Sequence, residues 1–399
     1  MTAGERSRTF LLWAAGRRSR HMVRGLILAL CLASLLSALQ AAAEPGRLIS
    51  AVPLEQAEPG ALAWRIRYET RDRLGQPTES TGLVVAPLSA SADRPVVAWA
   101  PGTVGVVERC AASRVKDPLG AIPQLRAMLD RGWVVVTTDY PGLGTPGPHA
   151  YLVVDAAAPA VLDSVRAARK LTEARAGARF VIWGHSQGGH AGLAAAGAVA
   201  RYAPELRLAG VVAVSPPTDL GANMGAVSRL ARGLFAALVA RSWSATYDIP
   251  LSTIANRTTQ GVIRRATTSC VDDRTGLAQL VRGVRLRVRL GNIDFARRHP
   301  WSELIVRNSI AGVPSNVPAL LVSASNDPVV ADSVTRRFVV NACARGARIA
   351  FLGVPGRDHA TVHVQTGQQA IAWIADRFAD RPQMGICPPG LGIAAASHR

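Results

Sequence analysis

The chain has 399 residues, 49% of them apolar, and its 46 basic and 27 acidic residues give a formal net charge of +19. That apolar content provides for a large buried core and excludes an intrinsically disordered chain. Nearly all of the basic residues are scattered arginines, and there is no nucleic-acid motif, which argues against nucleic-acid binding. We expect a solvated basic surface, with transient contact with a lipid interface or an anionic surface as the alternative.

Residues 1–43 have the organisation of a secretory signal peptide. Residues 1–24 carry six arginines and one acid, an apolar run follows at 25–39, and three alanines at 41–43 form a cleavage site. The apolar run is short for a membrane span, although an uncleaved anchor helix is the alternative. The pattern predicts a secreted or periplasmic protein.

Cysteine usage agrees with export. Cys31 lies in the predicted signal peptide, which leaves Cys110, Cys270, Cys343 and Cys387. An even number of cysteines in an exported chain predicts two disulfides, and three pairings remain open. Their spacing is not that of metal ligands, so we expect neither a metal site nor a cofactor.

From about residue 62, short apolar segments alternate with segments of helical periodicity. Short apolar runs that end in turn residues are typical of strands buried in a parallel sheet, and ligands bind beyond the carboxyl ends of such strands. The fold class is therefore α/β. The predicted strands are 62–68, 82–85, 95–100, 133–138, 179–183, 208–214, 317–323 and 348–352, and the predicted helices are 121–131, 156–176, 190–202 and 365–378.

This alternation breaks between residues 218 and 312. The segment contains the apolar stretch 230–239, a polar segment near 256–269 and the arginine-rich stretch 281–290. We interpret it as a largely helical cap or lid inserted into a core formed by residues 44–217 and 313–399. The apolar stretch would either face an acyl pocket or form the core of a cap helix.

A Gly-x-Ser-x-Gly motif follows the strand predicted at 179–183 and precedes a predicted helix. This context is that of a nucleophile elbow, with Ser186 at its tip and small residues at Gly184 and Gly188. The backbone N–H of Gln187, at the helix N-terminus, would then face a developing oxyanion. The alternative is an ordinary glycine-rich turn with an idle serine.

A serine nucleophile needs a general base, and elbows of this kind are followed in the chain first by an acid and then by a histidine. His359 lies in a turn-rich loop directly after the last predicted strand. We prefer it as the base over His363, at the start of the final helix, and over His398 in the terminal tail.

The acid is assigned to Asp327, which lies just past the strand predicted at 317–323. Asp219, after the strand that precedes the insertion, is the second candidate. Asp332 falls on the next helix, and Asp358 is expected to be exposed. A structural role for Asp327, as a turn or cap residue before a proline, is the alternative.

A second oxyanion donor is expected in the loop after the strand at 95–100. Thr103 offers both a backbone N–H and a hydroxyl, and Gly102 and Val104 are close rivals.

Four segments together resemble the secretory lipase family, which has an α/β-hydrolase core with a mostly parallel sheet. They are residues 101–110, 139–146, 183–190, and the pairs Asn326–Asp327 and Asp358–His359. The run 139–146 is the most specific of them. The resemblance implies a helical cap over the site, a Ser186–Asp327–His359 triad, and disulfides Cys110–Cys270 and Cys343–Cys387.

The resemblance also implies a lipase or esterase that hydrolyses lipid or other acyl esters through an acyl-enzyme. We infer no protein partner from the sequence. This chain departs from the family in one respect. Fungal members have an acidic side chain near the oxyanion loop, whereas the matching residues 103–107 of this chain include no acid. A peptidase or acyltransferase with the same triad, and an inactive binding protein of the same fold, remain the alternatives.

Overall fold

A nine-stranded sheet forms the centre of the protein, with strand order β1-β2-β3-β5-β4-β6-β7-β8-β9. The computed structural model describes residues 44–88, 91–271, 277–356, 358–383 and Cys387, so the predicted signal peptide at 1–43 lies outside the described residues. The strands are β1 Leu48–Pro53, β2 Ala61–Arg71, β3 Pro77–Pro87, β4 Arg94–Ala100, β5 Val134–Thr137, β6 Ala176–His185, β7 Arg207–Val214, β8 Ala319–Ala324 and β9 Ile349–Val354.

The sheet is mostly parallel. Strands β5, β4, β6, β7, β8 and β9 pair in parallel, whereas β1, β2 and β3 form an antiparallel ribbon joined to β5. The strands predicted at 62–68 and 82–85 are both longer in the structure, which leaves only a short turn between β2 and β3. The turn is closed at Asp72, whose carboxylate accepts the N–H groups of Leu74 and Gln76, and β3 therefore starts at Pro77.

Helices cover both faces of the sheet, as the buried runs on the parallel strands require. The helices are α1 Leu125–Leu129, α2 Val154–Lys170, α3 Gln187–Tyr202, α4 Leu220–Ala226, α5 Arg229–Thr246, α6 Arg257–Ala266, α7 Leu277–Leu290, α8 Trp301–Arg307, α9 Asp332–Ala344, α10 Val362–Gln365 and α11 Gly367–Phe378. One core contains residues of α2, α3 and α9, and the opposite core contains residues of α1 and α11.

Two predicted helices have different bounds. The helix predicted at 121–131 is reduced to α1, because Gln124 has a φ of 56°, outside the right-handed helical range. The helix predicted at 156–176 begins two residues earlier and ends at Lys170, because Leu171 has an extended conformation.

Helices α4 to α8 lie between β7 and β8, where the alternation of strands and helices breaks in the sequence. They form a third apolar core around Trp243 and Trp301, whose side chains are both fully buried. The polar segment near 256–269 contains a helix, α6, and the arginine-rich stretch forms α7, which buries Leu286 and Leu290. The boundaries of a cap at 218 and 312 remain a prediction.

The carboxyl ends of the parallel strands meet at one edge of the sheet. Strands β4, β6, β8 and β9 end there at Ala100, His185, Ala324 and Val354. Among the described residues, no helix has both the length and the apolar character needed to cross a membrane.

Candidate active site

Ser186 lies at a sharp turn between β6 and α3. Its φ of 53° and ψ of −116° are unusual for a residue with a side chain. Such a backbone conformation costs about 1–3 kcal/mol of strain energy. A Cβ atom on Gly184 would lie 2.2 Å from the carbonyl oxygen of Gly188, and one on Gly188 would lie 1.8 Å from that of Ala100. The turn therefore excludes side chains at both motif glycines, as the sequence predicts.

The three side chains predicted as nucleophile, base and acid form one hydrogen-bonded series. The Ser186 hydroxyl donates to His359 Nε2 at 2.9 Å, and His359 Nδ1–H donates to Asp327 Oδ2 at 2.7 Å. The other oxygen of Asp327 accepts the backbone N–H groups of Val329 and Val330, each at 2.8 Å. This arrangement can move a proton from the hydroxyl to the imidazole while the carboxylate fixes the ring.

The rival acids have other contacts. Asp219 caps α4 by accepting the N–H of Ala222, and Asp332 pairs with Arg336 at 2.6 Å on α9. Asp358 is exposed and accepts from Thr361. Each of these carboxylates contacts its own helix or loop rather than the imidazole of His359.

The rival histidines also differ from His359. His363 is on α10, where its ring stacks on Trp99 and on the imidazole of His185. His398 lies outside the described residues.

The loop after β4 lies beside Ser186. Gly102, Thr103 and Val104 all contact the cavity that contains Ser186, and the Thr103 hydroxyl lies 2.9 Å from the phenol oxygen of Tyr151. Burial raises the pKa of Tyr151 to about 12, so this pair of hydroxyls stays neutral. The choice of Thr103 over its two neighbours as oxyanion donor remains a prediction.

Gln187 begins α3, where backbone N–H groups have no acceptor within the helix. Its side-chain amide donates to His149 Nε2 at 3.0 Å, and His149 Nδ1–H donates to the carbonyl oxygen of Pro141 at 3.1 Å. Burial lowers the pKa of His149 to about 4, so the imidazole is neutral and can accept this hydrogen bond. The hydrogen bond to His149 thus holds the side chain of Gln187, the predicted oxyanion donor residue, in place. Its role as an oxyanion donor remains a prediction.

The segment 139–146 supports the loop after β4, in which an oxyanion donor is predicted. Asp139 is buried and accepts hydrogen bonds from the Thr81 hydroxyl at 2.7 Å and the Ser113 N–H at 2.8 Å. The phenol of Tyr140 donates to the carbonyl oxygen of Pro101, at the start of the loop. The most specific segment of the sequence resemblance therefore has a structural function beside the site.

A cavity of about 450 Å³ opens over Ser186 and His359. Most of its wall is apolar, with Trp99 and Ile122 on the side of the sheet and Phe235 and Leu238 of α5 on the side of the insertion. Its polar lining includes Ser186 and His359. The apolar stretch at 230–239 thus contributes both to a helix core and to the cavity wall.

A disulfide joins the segment 218–312 to the chain that follows β4. Cys110 pairs with Cys270, and the N–H of Val271 donates to the carbonyl oxygen of Val104 at 2.8 Å. The second disulfide, Cys343–Cys387, joins the end of α9 to a residue hydrogen-bonded to β9. These are the pairings that the sequence resemblance implies.

We expect removal of the first disulfide to lower both stability and activity. The double substitution Cys110→Ala/Cys270→Ala opens a loop of 160 residues and is expected to lower the free energy of unfolding by roughly 2–5 kcal/mol. It also removes one covalent bond that holds the chain near Thr103 in place. We therefore expect kcat to fall several-fold at temperatures where the variant is folded.

The control is Cys343→Ala/Cys387→Ala, which removes the bond remote from Ser186. Denaturant unfolding and initial rates would be measured on both variants. Equal kcat values in the two variants would contradict the proposed link between the first disulfide and the site.

Two residues beside the site were not found from the sequence. His185 occupies the first variable position of the motif, where its adjacency to Ser186 was the one available signal. Tyr151 follows the specific segment 139–146 at some distance, and nothing in its sequence context indicates its contact with Thr103.

Comparison with known proteins places the chain among lipases. A family model described as secretory lipase matches residues 122–385. A Mycobacterium tuberculosis protein named a probable inactive lipase is 26% identical over 368 residues, which cover 85% of this chain and 80% of that protein. Lipase 9 of Candida albicans is 24% identical over 353 residues, 82% of this chain and 75% of the relative.

Solved structures show the same fold. Candida antarctica lipase A superposes with a TM-score of 0.71 at 17% identity, over 89% of this chain and 87% of that one. The rice cell wall degrading esterase LipA of Xanthomonas oryzae has a TM-score of 0.65 at 19% identity, over 84% of this chain and 99% of that one. The nine-stranded sheet with flanking helices is therefore an α/β-hydrolase fold.

Proposed function

The chain belongs to the secretory lipase family, and from this we propose that it is a serine ester hydrolase acting on lipid or other acyl esters. The observation that supports this most directly is the hydrogen-bonded series Ser186–His359–Asp327. It opens onto a largely apolar cavity that suits an acyl chain. Two disulfides and the predicted signal peptide support export from the cell.

The proposed reaction has two steps. His359 Nε2 takes the Ser186 proton as the oxygen attacks the ester carbonyl, and the backbone N–H groups of Gln187 and of the Thr103 loop stabilise the oxyanion. The imidazolium then protonates the leaving alcohol, which leaves the acyl group on Ser186. Water activated by His359 attacks the acyl-enzyme, and the acid product leaves with Ser186 regenerated.

The mycobacterial relative is named a probable inactive lipase. That name describes the relative and does not decide whether this chain is active. In this chain the nucleophile, base and acid candidates lie within 2.9 Å of their partners, which supports an active enzyme. An inactive binding protein would have no need of a strained serine in contact with a braced imidazole. A fluorophosphonate probe distinguishes the two: labelling of Ser186 supports the enzyme, and no labelling of the folded protein supports the binding protein.

Substrate class is tested with a series of chromogenic esters of increasing acyl length beside peptide amides. We expect ester hydrolysis with little amide hydrolysis. Because a fully buried methylene contributes about 0.8 kcal/mol, kcat/KM should rise by up to about fourfold for each added methylene until the cavity is filled. Preferential cleavage of the amides would favour a peptidase, and transfer to added alcohols in place of hydrolysis would favour an acyltransferase.

A further inference from the structure

His185 is the last residue of β6 and directly precedes the candidate nucleophile. Its side chain is buried, with 8% of the residue exposed. The imidazole lies between two others, with ring centroids 4.8 Å from His359 and 4.2 Å from His363. The ring is therefore in contact with the candidate base on one side and with α10 on the other.

The hydrogen bond of His185 determines its protonation. Its Nε2 lies 2.9 Å from the main-chain carbonyl oxygen of His359, which can only accept, so Nε2 bears the proton and donates. The other nitrogen faces Gly102, where a Cβ atom would lie 3.1 Å from it. Burial, with added repulsion from the two neighbouring imidazoles, lowers the pKa of His185 well below its usual value, so the ring is neutral.

The candidate base needs such a contact because of where it lies. His359 is in the loop between β9 and α10, in which Gly356, Asp358 and Ala360 are exposed. This loop must hold both ring nitrogens of His359 within 2.9 Å of their partners, although those partners come from the ends of two other strands. Besides the contact of its ring with Ser186, the main-chain carbonyl of His359 gives the loop a second bond to the segment that contains Ser186.

We propose that His185 is a positioning residue, whose Nε2–H holds the main chain of His359 so that its ring faces Ser186 and Asp327 together. This inference rests on the proposed function, since it concerns the base of that reaction. The bond joins the backbone of the base to the residue next to the nucleophile. A shift of the loop by about 1 Å would lengthen the proton-transfer contact and lower the rate by about a hundredfold.

The test is a pair of amide substitutions that differ in reach. In His185→Gln the side-chain amide reaches the position of Nε2 and can donate to the His359 carbonyl. In His185→Asn the amide reaches only the position of Nδ1. We expect His185→Gln to retain kcat within about threefold and His185→Asn to lose about 10- to 100-fold, with KM changed less than threefold in both.

His190 supplies a matched control on α3. It is fully buried, its pKa is lowered by burial to about 4, and its Nε2–H donates to the main-chain carbonyl of Asn308 at 2.7 Å. His190→Asn thus loses the same kind of hydrogen bond away from the base. We expect a lower melting temperature with kcat of the folded protein within about threefold of the wild type.

Three results decide the matter. Equal kcat values for His185→Asn and His185→Gln would overturn the inference, as would a fall in kcat for His190→Asn as large as that for His185→Asn. If His185→Asn does not fold, His185→Phe keeps a planar ring without the donor and should show the same loss of kcat; wild-type kcat in that variant would overturn the inference. Full activity of Ser186→Ala would instead refute the proposed function itself.

Discussion

Replacing Ser186 by alanine is expected to lower kcat for ester hydrolysis at least about a thousandfold, because triad members act as a unit and only oxyanion stabilisation and binding would remain. Alanine would remove the hydrogen bond from the Ser186 hydroxyl to His359. Because this bond joins two side chains of the site, the fold should persist without it. Initial rates at saturating ester, fluorophosphonate labelling and circular-dichroism melting would measure the effect. The variant should remain unlabelled.

Ser215→Ala is the matched control. Ser215 also follows a strand of the sheet, has a positive φ of 44° and is buried. Within the described part of the chain its hydroxyl has no hydrogen-bond partner. Its loss should therefore leave kcat within about twofold. If Ser186→Ala and Ser215→Ala were equally active, Ser186 would not be the nucleophile.

Replacing Asp327 by asparagine is expected to lower kcat by about ten thousandfold with little change in the fold. The N–H groups of Val329 and Val330 both point at one side-chain oxygen, so the asparagine carbonyl would occupy that position. The amide NH₂ would then face His359 Nδ1 in place of the carboxylate oxygen. The imidazole would have to carry its proton on Nε2, where it could no longer accept the Ser186 proton.

Asp332→Asn is the control for this substitution, since it changes a nearby carboxylate that pairs with Arg336. Steady-state kinetics would be measured for both variants, together with the position of the His359 ring protons by NMR. A loss of less than about tenfold in Asp327→Asn, or an equal loss in Asp332→Asn, would remove Asp327 from the proposed mechanism.

The nucleophile turn could be predicted from the sequence because its geometry leaves few alternatives. A serine at a tight strand-to-helix turn requires small flanking residues, and Gly184 and Gly188 meet that requirement at a fixed spacing. Asp327 and His359 were predicted from the order of acid and histidine after such elbows and from their places just after predicted parallel strands, whose carboxyl ends lie at one edge of the sheet. The structure brings the imidazole of His359 to Ser186 and the carboxylate of Asp327 to that imidazole.

Contacts among loops could not be predicted in the same way. The bond from His185 to the His359 carbonyl joins residues 174 positions apart, and the bond from Thr103 to Tyr151 joins residues 48 apart. Neither has a periodic pattern, because both depend on how irregular segments pack over the sheet. The helix predicted at 121–131 was too long for a local reason. The left-handed backbone conformation of Gln124, which precedes α1, is not apparent from its residue type.

The place of β8 and β9 in the chain has a consequence for biosynthesis. The ribosome synthesises Ser186 and the strand that precedes it early. The loop that contains His359 follows much later, because His359 is 173 residues further along the chain. A nascent chain that has emerged only as far as Asp327, just past β8, would contain the hydroxyl and the carboxylate without the imidazole. The proposed ester hydrolysis would therefore begin only after β9 has joined the sheet, so an incompletely synthesised chain would leave the esters of the cell that makes it intact.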